Sequence, residues 1–340
     1  MKRYVAVDCG KYNTKVAAFD CKTGEQAKVK FRTKISEGSF EDDMLERGTY
    51  IVQVDGGPVY KVGQGARTEA ELETSKKSEI HKICTMAAVA LMSGGADDLN
   101  VVAGIPFQQG CDPIARREYR DYIIPEGEHE VIIKRSGSEA PEKVKVSFNQ
   151  RKIYLESVGV LYMYPKKLDE VTGIVDIGNL NTNNTYCANY QPVQENSFTD
   201  ELGGEILITG LAQELSSELG ARVDKNIVAQ TLLRPLEKRC LVPKSGNKEV
   251  MEKSRTIINE YLLEHVQQIK RKLDARKWPV DYMNICLIGG TVKILYPELQ
   301  KVFGEIFIPD EPEFVNVEGF LRKFCADDDI DITKKSSASN

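Results

Sequence analysis

The alternation of apolar and polar positions divides this 340-residue chain into two stretches that begin alike. Tyr4-Val5-Ala6-Val7-Asp8-Cys9-Gly10 is a short apolar run ending in Asp-x-Gly, and Gly173-Ile174-Val175-Asp176-Ile177-Gly178 repeats it about half a chain later. Each is followed by a polar turn and a second β-rich run, Lys15 to Asp20 in the first case and Thr185 to Tyr190 in the second. Short Val/Ile-rich runs bounded by glycine read as strands. Each half is therefore predicted to open with a hairpin whose turn carries Asp-x-Gly. A unit repeated at this distance implies two similar halves, with the turns facing a common cleft.

Between the hairpins lie further β-rich runs, Ala27 to Ile35 and Tyr50 to Val62, the latter broken by Gly56-Gly57-Pro58. The pattern predicts a helix from Ser78 to Ser93, stopped by Gly94-Gly95, and a buried strand from Asn100 that ends at Pro106. A charged helix, Pro113 to Tyr122, and a hairpin, Glu130 to Arg135 with Lys143 to Phe148, come next, with a flexible tip at Ser136–Pro141. The second half reads as more helical. Ile206, Leu207, Leu211 and Leu215 mark a helix from Gly204 to Leu219 that Gly220 terminates. A long helix follows from Glu249 to Lys277, stopped by Trp278-Pro279, then a buried strand, Ile285 to Ile288, entering Gly289-Gly290. Pro297 to Phe303 reads as a short helix, and Asp327 to Asn340, charged and Ser-rich, as a loose tail.

Composition narrows the class. A hydrophobic fraction of 41% supports a sizeable core, and 46 basic against 51 acidic residues argue against a broad basic face for nucleic acid. No direct nucleic-acid binding is expected. The N-terminus shows no signal peptide, and the most apolar unbroken stretch, Met86 to Met92, is far short of the roughly 20 residues that cross a bilayer. The expectation is a soluble, cytoplasmic chain with no membrane partner. Its eight cysteines contain no C-x-x-C pair and it has three histidines, which fits reduced thiols better than a disulfide framework or a zinc site.

Five segments carry candidate chemistry. In Asp8-Cys9-Gly10-Lys11-Tyr12-Asn13-Thr14-Lys15, a strand delivers an acid into a glycine turn. Backbone N–H groups there can meet phosphate oxygens, Asp8 can hold Mg²⁺ through water, and Lys15 supplies compensating charge. Asp176-Ile177-Gly178-Asn179-Leu180-Asn181-Thr182-Asn183 offers amides and a hydroxyl for a γ-phosphate from the opposite side. Either turn alone is equally an ordinary polar hairpin turn; together they are what a two-sided phosphate clamp requires. Leu202-Gly203-Gly204-Glu205 opens a helix with bare glycines that would admit a ribose or ring, with Glu205 accepting from ribose hydroxyls. Gly289-Gly290-Thr291 would leave room for a base. Glu156, before the helix-like run Val158 to Met163, either orients water for in-line attack or simply complements a helix dipole.

The order Asp8-x-Gly10, Glu156, Asp176-x-Gly178, Leu202-Gly203-Gly204-Glu205, Leu287-Ile288-Gly289-Gly290 resembles the actin, DnaK-type chaperone and sugar kinase superfamily over about residues 4 to 324. These are its phosphate-1, connecting, phosphate-2 and adenosine motifs. Gly104-Ile105-Pro106 and Phe314-Val315-Asn316-Val317-Glu318-Gly319-Phe320 look most like ParM-type bacterial actins. The resemblance implies an α/β actin-like ATPase fold of two related lobes with RNase H-like cores flanking a nucleotide cleft. Lobe I would be residues 1–163 plus 313–340, and lobe II residues 164–312. It implies ATP or GTP with Mg²⁺ as cofactors. Asp8 and Asp176 would position metal and water, Glu156 would polarise the attacking water, and Lys15, Gly10, Gly178, Gly204, Glu205, Gly289 and Gly290 would line the nucleotide. The chain departs from the family at Lys11, where Ser is usual, and at Asn179-Leu180-Asn181.

The function so implied is a self-polymerising ATPase whose filaments segregate plasmid DNA through an adaptor protein bound to a centromere-like site. An alternative is a small-molecule kinase on the same fold, in which an acid activates a substrate hydroxyl rather than water. A chaperone nucleotide-binding module would need an attached substrate domain, and only about 20 residues follow Phe320.

Overall fold

A computed structural model describes residues 1–71 and 75–333. In it the chain divides into two units, Met1–Pro165 with Phe314–Asn340, and Lys166–Glu313.

The first unit is built on one ten-stranded sheet. Its strands are β1 (Lys2–Cys9), β2 (Asn13–Asp20), β3 (Gln26–Arg32), β4 (Lys34–Glu37), β5 (Thr49–Val54), β6 (Val59–Gly63) and β7 (Thr68–Glu69), then, after helix α1 (Glu79–Ser93), β8 (Asp98–Ile105). Helices α2 (Phe107–Gly110) and α3 (Pro113–Ile123), strands β9 (Glu128–Arg135) and β10 (Glu142–Leu155), and helix α4 (Gly159–Met163) follow. The spatial order is β3-β2-β1-β8-β10-β9-β5-β6-β4-β7, with β1, β8 and β10 parallel.

Strand pleating sorts the core. Val5, Val7 and Cys9 of β1, Val16 and Ala18 of β2, and Val101 and Ala103 of β8 join the buried cluster that includes α1. The alternate positions Tyr4, Ala6, Ala17, Phe19 and Val102 pack with Phe320, Leu321 and Phe324 of the C-terminal helix, Val315–Asp327. A parallel core covered on both faces explains why these strands read as continuous apolar runs. Asp8 is the exception in the Tyr4–Ala6 row, an acid at the strand's C-terminal end. The C-terminal helix meets α4 backbone to backbone: a Cβ on Gly319 would lie 2.1 Å from the Gly159 carbonyl oxygen.

The second unit repeats the motif. Strands β11 (Val171–Ile177), β12 (Thr182–Ala188), β13 (Gln191–Pro192) and β14 (Phe198–Asp200) precede helices α5 (Gly204–Leu219), α6 (Lys225–Leu232) and α7 (Lys248–Ala275). Strand β15 (Asn284–Ile288) and helix α8 (Val292–Phe303) close the unit. The order β13-β12-β11-β15 mirrors β3-β2-β1-β8, with antiparallel β11·β12 and parallel β11·β15. A parallel bridge from Cys286 to Phe307 stands where β10 lies in the first unit. The α/β class and the pair of related cores inferred from the sequence are what the structure contains.

Several boundaries differ. The predicted run Ala27 to Ile35 is broken at Thr33, which is drawn aside to bond the first hairpin loop. Helix α8 begins at Val292, so Pro297 lies inside it rather than opening it; burial of Val292, Leu295 and Leu299 offsets the one backbone bond a proline forgoes. Ile206, counted on the apolar face of α5, is exposed. The expected loose tail from Asp327 is held as far as Thr333. The helix continues through Asp327, Asp328 accepts from Lys2, Tyr4 and Gln150, Ile332 is buried, and its carbonyl accepts from Gln26 at 2.9 Å. Residues 334–340 of that predicted tail lie outside the described residues.

Candidate functional site

The two hairpin loops close in the same way. In the first unit the Gly10 N–H donates to the Asn13 carbonyl at 3.0 Å; in the second the Gly178 N–H donates to the Asn181 carbonyl at 2.9 Å. A Cβ on either glycine would stand 2.9 Å from that carbonyl oxygen, so both turns require glycine. A threonine hydroxyl then clamps each glycine carbonyl, Thr33 on Gly10 at 2.6 Å and Thr291 on Gly178 at 2.8 Å. The equivalence reaches the register: Asp8 lies opposite Lys15, and Asp176 lies opposite Asn183.

In the first loop the acid is deeply held. Asp8 is buried and Lys15 reaches it at 2.9 Å from the facing strand. Burial alone would raise this carboxyl, but the charges of Lys15 and Lys76 and the Lys15 hydrogen bond hold it below its ordinary value. Thr14 bonds Thr33 at 2.9 Å and Cys9 at 3.2 Å, while the Arg32 guanidinium sits 3.5 Å over the Tyr12 ring and donates to the Tyr12 carbonyl. Gly10, Lys11, Asn13 and Thr14 are therefore presented on a braced turn.

Glu156 follows β10, where its N–H donates to the Ile105 carbonyl at 2.8 Å, and Ser157, at φ 69°, turns the chain into α4. It is not a first-turn acid of a helix. Its buried carboxylate forms an ion pair with Lys76, itself 7% exposed, from the segment preceding α1. Burial works against the Lys76 ammonium, yet the charges of Glu156 and Asp8 raise its affinity for its proton above the usual lysine value. Burial and the repulsion of Lys76 lower the Lys11 amine. Three lysines and two carboxylates thus share one end of this sheet. Lys76 is not among the residues that the sequence pattern singles out. Its signal was Lys76-Lys77 immediately before a helix start, where the helix dipole disfavours cations.

In the second unit Asp176, Gly178, Asn179, Asn181, Gly203, Gly204, Glu205, Gly289 and Thr291 come together, and the glycines allow the close packing. The N–H groups of Gly204 and Glu205 donate to the carbonyls of Gly178 and Asn179 at 3.0 and 2.6 Å. A Cβ on Gly203 would meet the Asn179–Asn181 backbone at 2.6 Å, and one on Gly204 the Thr291 hydroxyl at 2.7 Å. The start of α5 is thus packed against the second loop. Gly289, at φ 99°, leaves space for the Ile177 carbonyl and the Asp176 carboxylate. A Cβ on Gly290, unlike one on Gly203, Gly204 or Gly289, would meet nothing within 4 Å. The Glu205 carboxylate pairs with Lys225 at 2.8 Å.

Residues 6–159 match the family model of the N-terminal domain of actin-like proteins. The chain is similar in structure to Ta0583, an archaeal actin homolog, at 17% identity and a TM-score of 0.70, covering 95% of this chain and 99% of that one. A protein solved as the Alp12 filament matches at 22% identity and a TM-score of 0.69, over 96% and 99% of the two chains. Bacillus thuringiensis ParM with AMPPNP matches at 17% identity and a TM-score of 0.68, again over 96% and 99%. No curated protein sequence matches the chain significantly. At the level of fold, the likeness to bacterial actins carried by the motif order is borne out. Among the described residues no helix is long and apolar enough to cross a membrane.

Proposed function

We propose that this chain is an actin-type, self-polymerising nucleoside triphosphatase of the cytoplasm, using ATP or GTP, whose filaments segregate plasmid DNA. The observation that carries the nucleotide reading is the repeated loop: Asp8-x-Gly10 and Asp176-x-Gly178 are closed and clamped identically, each on the C-terminal end of a central parallel strand, where α/β folds gather ligand groups. Gly10, Lys11, Asn13, Thr14 and Lys15 of one loop, and Gly178, Asn179 and Asn181 of the other, would meet phosphate oxygens. Gly290, Thr291 and Glu205 are the positions offered to the nucleoside; Gly203, Gly204 and Gly289 act by letting the second loop pack closely.

Asp8, kept ionised in a buried setting, and Asp176 suit a hard cation held through water. Among the described residues no three His, Cys, Asp or Glu side chains gather into a metal cage, which fits Mg²⁺ shared with phosphate better than a protein-only site. Mg²⁺ when bound would neutralise phosphate charge and align the reacting oxygens. Glu156 would accept the proton of the attacking water, and Lys76 would hold that carboxylate in place.

Assembly is supported by the kind of protein the fold resembles, one of them solved as a filament and another with a nucleotide analogue. Plasmid attachment through an adaptor on a centromere-like site is part of the proposal. The test is sedimentation and light scattering with Mg-ATP and Mg-GTP beside phosphate release in the absence of any acceptor. Polymer and phosphate are expected together. A chain that turns over only when a hydroxyl acceptor is supplied would be a kinase instead.

A further inference from the structure

The buried face of α7 runs through Ile258, Leu262, Val266, Ile269 and Leu273, and among these apolar side chains stands one imidazole, His265, only 4% exposed. A leucine would fill that place without the cost of burying a polar ring, a cost offset only where the ring makes a bond that packing cannot supply. His265 makes such a bond: its imidazole donates an N–H to the Leu202 carbonyl. Nε2 has no partner among the described residues, so the donor is Nδ1. Burial pushes the ring down to about 4, which leaves it a neutral donor at pH 7.

The Leu202 carbonyl is a junction. The Thr182 hydroxyl, opposite Ile177 in the hairpin, also donates to it, at 2.8 Å, and a carbonyl oxygen has lone pairs for both donors. One bond ties Leu202 to strand β12 and the other ties it to helix α7. From Leu202 onward the connection to the second loop is made by backbone. A Cβ on Gly203 would stand 2.6 Å from the backbone of Asn179 to Asn181, and the N–H groups of Gly204 and Glu205 donate to the carbonyls of Gly178 and Asn179. These contacts include no flexible side chain to absorb a shift at Leu202, so a displacement there is passed to the loop.

We infer that His265 is a positioning residue for the second loop: through the Leu202 carbonyl it fixes where Gly178, Asn179 and Asn181 stand, and hence how tightly the γ-phosphoryl group of a bound nucleotide is held. The inference rests on the nucleotide reading and adds to it a residue from a helix core that touches no ligand itself. The brace on the first loop is of another kind, the paired hydroxyls of Thr14 and Thr33.

Three variants of the full chain test it, titrated with Mg-AMPPNP and with Mg-ADP at pH 7 beside their thermal unfolding curves. His265→Asn places an amide N–H at the distance of Nδ1 from the main chain, His265→Gln carries it one bond farther, and His265→Leu has none. AMPPNP affinity should fall about tenfold in the Leu and Gln variants, the order of one lost buried hydrogen bond, and stay within about twofold of the parent in the Asn variant. ADP, which lacks the γ-phosphoryl group, should change by less than about threefold in all three. A role confined to packing reverses the order: Leu matches the parent, Asn is worst, and AMPPNP and ADP weaken alike. That result overturns the inference. Equal AMPPNP affinity in the Asn and Gln variants also overturns it, and this comparison stands should the Leu variant not fold. A parent chain that binds neither nucleotide defeats the nucleotide reading and this role with it, whereas a parent that binds both isolates the failure to His265.

Discussion

The Lys76 ammonium lies against the Glu156 carboxylate, 80 residues away in sequence, with both side chains only 7% exposed. Asp8 adds a second negative charge to the field that keeps Lys76 protonated. Removing one member of such a buried pair leaves an uncompensated charge, typically a loss of about 3–5 kcal/mol. Lys76→Met should therefore lower the urea midpoint sharply at pH 7, and Lys76→Met with Glu156→Leu should recover most of the loss. The sign with pH follows from the raised lysine: its stabilisation is complete below the ordinary lysine value and disappears as pH rises through the folded-state value. A single Lys76→Met variant as stable as the parent would show that the pair contributes little.

Glu156 separates binding from chemistry. If it accepts the proton of the attacking water, Glu156→Ala should leave nucleotide affinity within a few-fold and slow phosphate release by roughly 10²- to 10⁴-fold, the usual loss for a missing general base. The same substitution strands Lys76, so Glu156→Gln, which keeps the shape and a hydrogen-bond acceptor, is the cleaner variant. Equal turnover in Glu156→Gln and the parent would move the role to Asp176.

The two hairpins were legible because everything that makes them is local: an apolar strand, an acid, a glycine the turn demands and a facing strand a few residues on. Pairing Asp8 with Asp176 as equivalent positions needed only the repeat. Lys76 was illegible because its meaning is set by Glu156 and Asp8, which only the sheet topology brings to it. What packs against the Gly203-Gly204 pair is hidden in the sequence for a related reason. Glycines after a strand signal close approach, but what approaches is the chain's own second loop, a tertiary fact. The held segment 328–333 looked like tail by composition, yet Asp328 and Ile332 find partners on strands from the opposite end of the chain.

Histidine protonation sets an acid limit. Burial, with Lys76 and Lys11 nearby, pushes His81 down to about 3, and burial pushes His265 down to about 4. Each stays neutral in the folded chain while its unfolded form takes up a proton near pH 6.5, so the unfolded state binds more protons and stability falls as pH falls below that point. At pH 5 each histidine should remove about 2 kcal/mol relative to pH 7. Denaturation midpoints at pH 7 and pH 5 measure the drop, and His265→Leu should shrink it by about half. Identical midpoints at the two pH values would mean that neither imidazole is held neutral.

Gly289 and Gly290 are neighbours with opposite expectations. A Cβ at Gly289 would lie 2.4 Å from the Ile177 carbonyl oxygen, on a backbone at φ 99°, so Gly289→Ala should destabilise the second unit by about 1–3 kcal/mol or more. At Gly290 nothing lies within 4 Å, and Gly290→Ala should change stability by less than about 0.5 kcal/mol. If the open side of Gly290 receives the nucleoside, that methyl group should nevertheless weaken nucleotide binding by about tenfold or more, a loss of roughly 1.4 kcal/mol. Fluorescent-nucleotide titration of Gly290→Ala, beside its thermal unfolding curve, distinguishes the two effects. Full affinity in a fully stable variant would place the nucleoside elsewhere and leave Thr291 and Glu205 as the positions to test next.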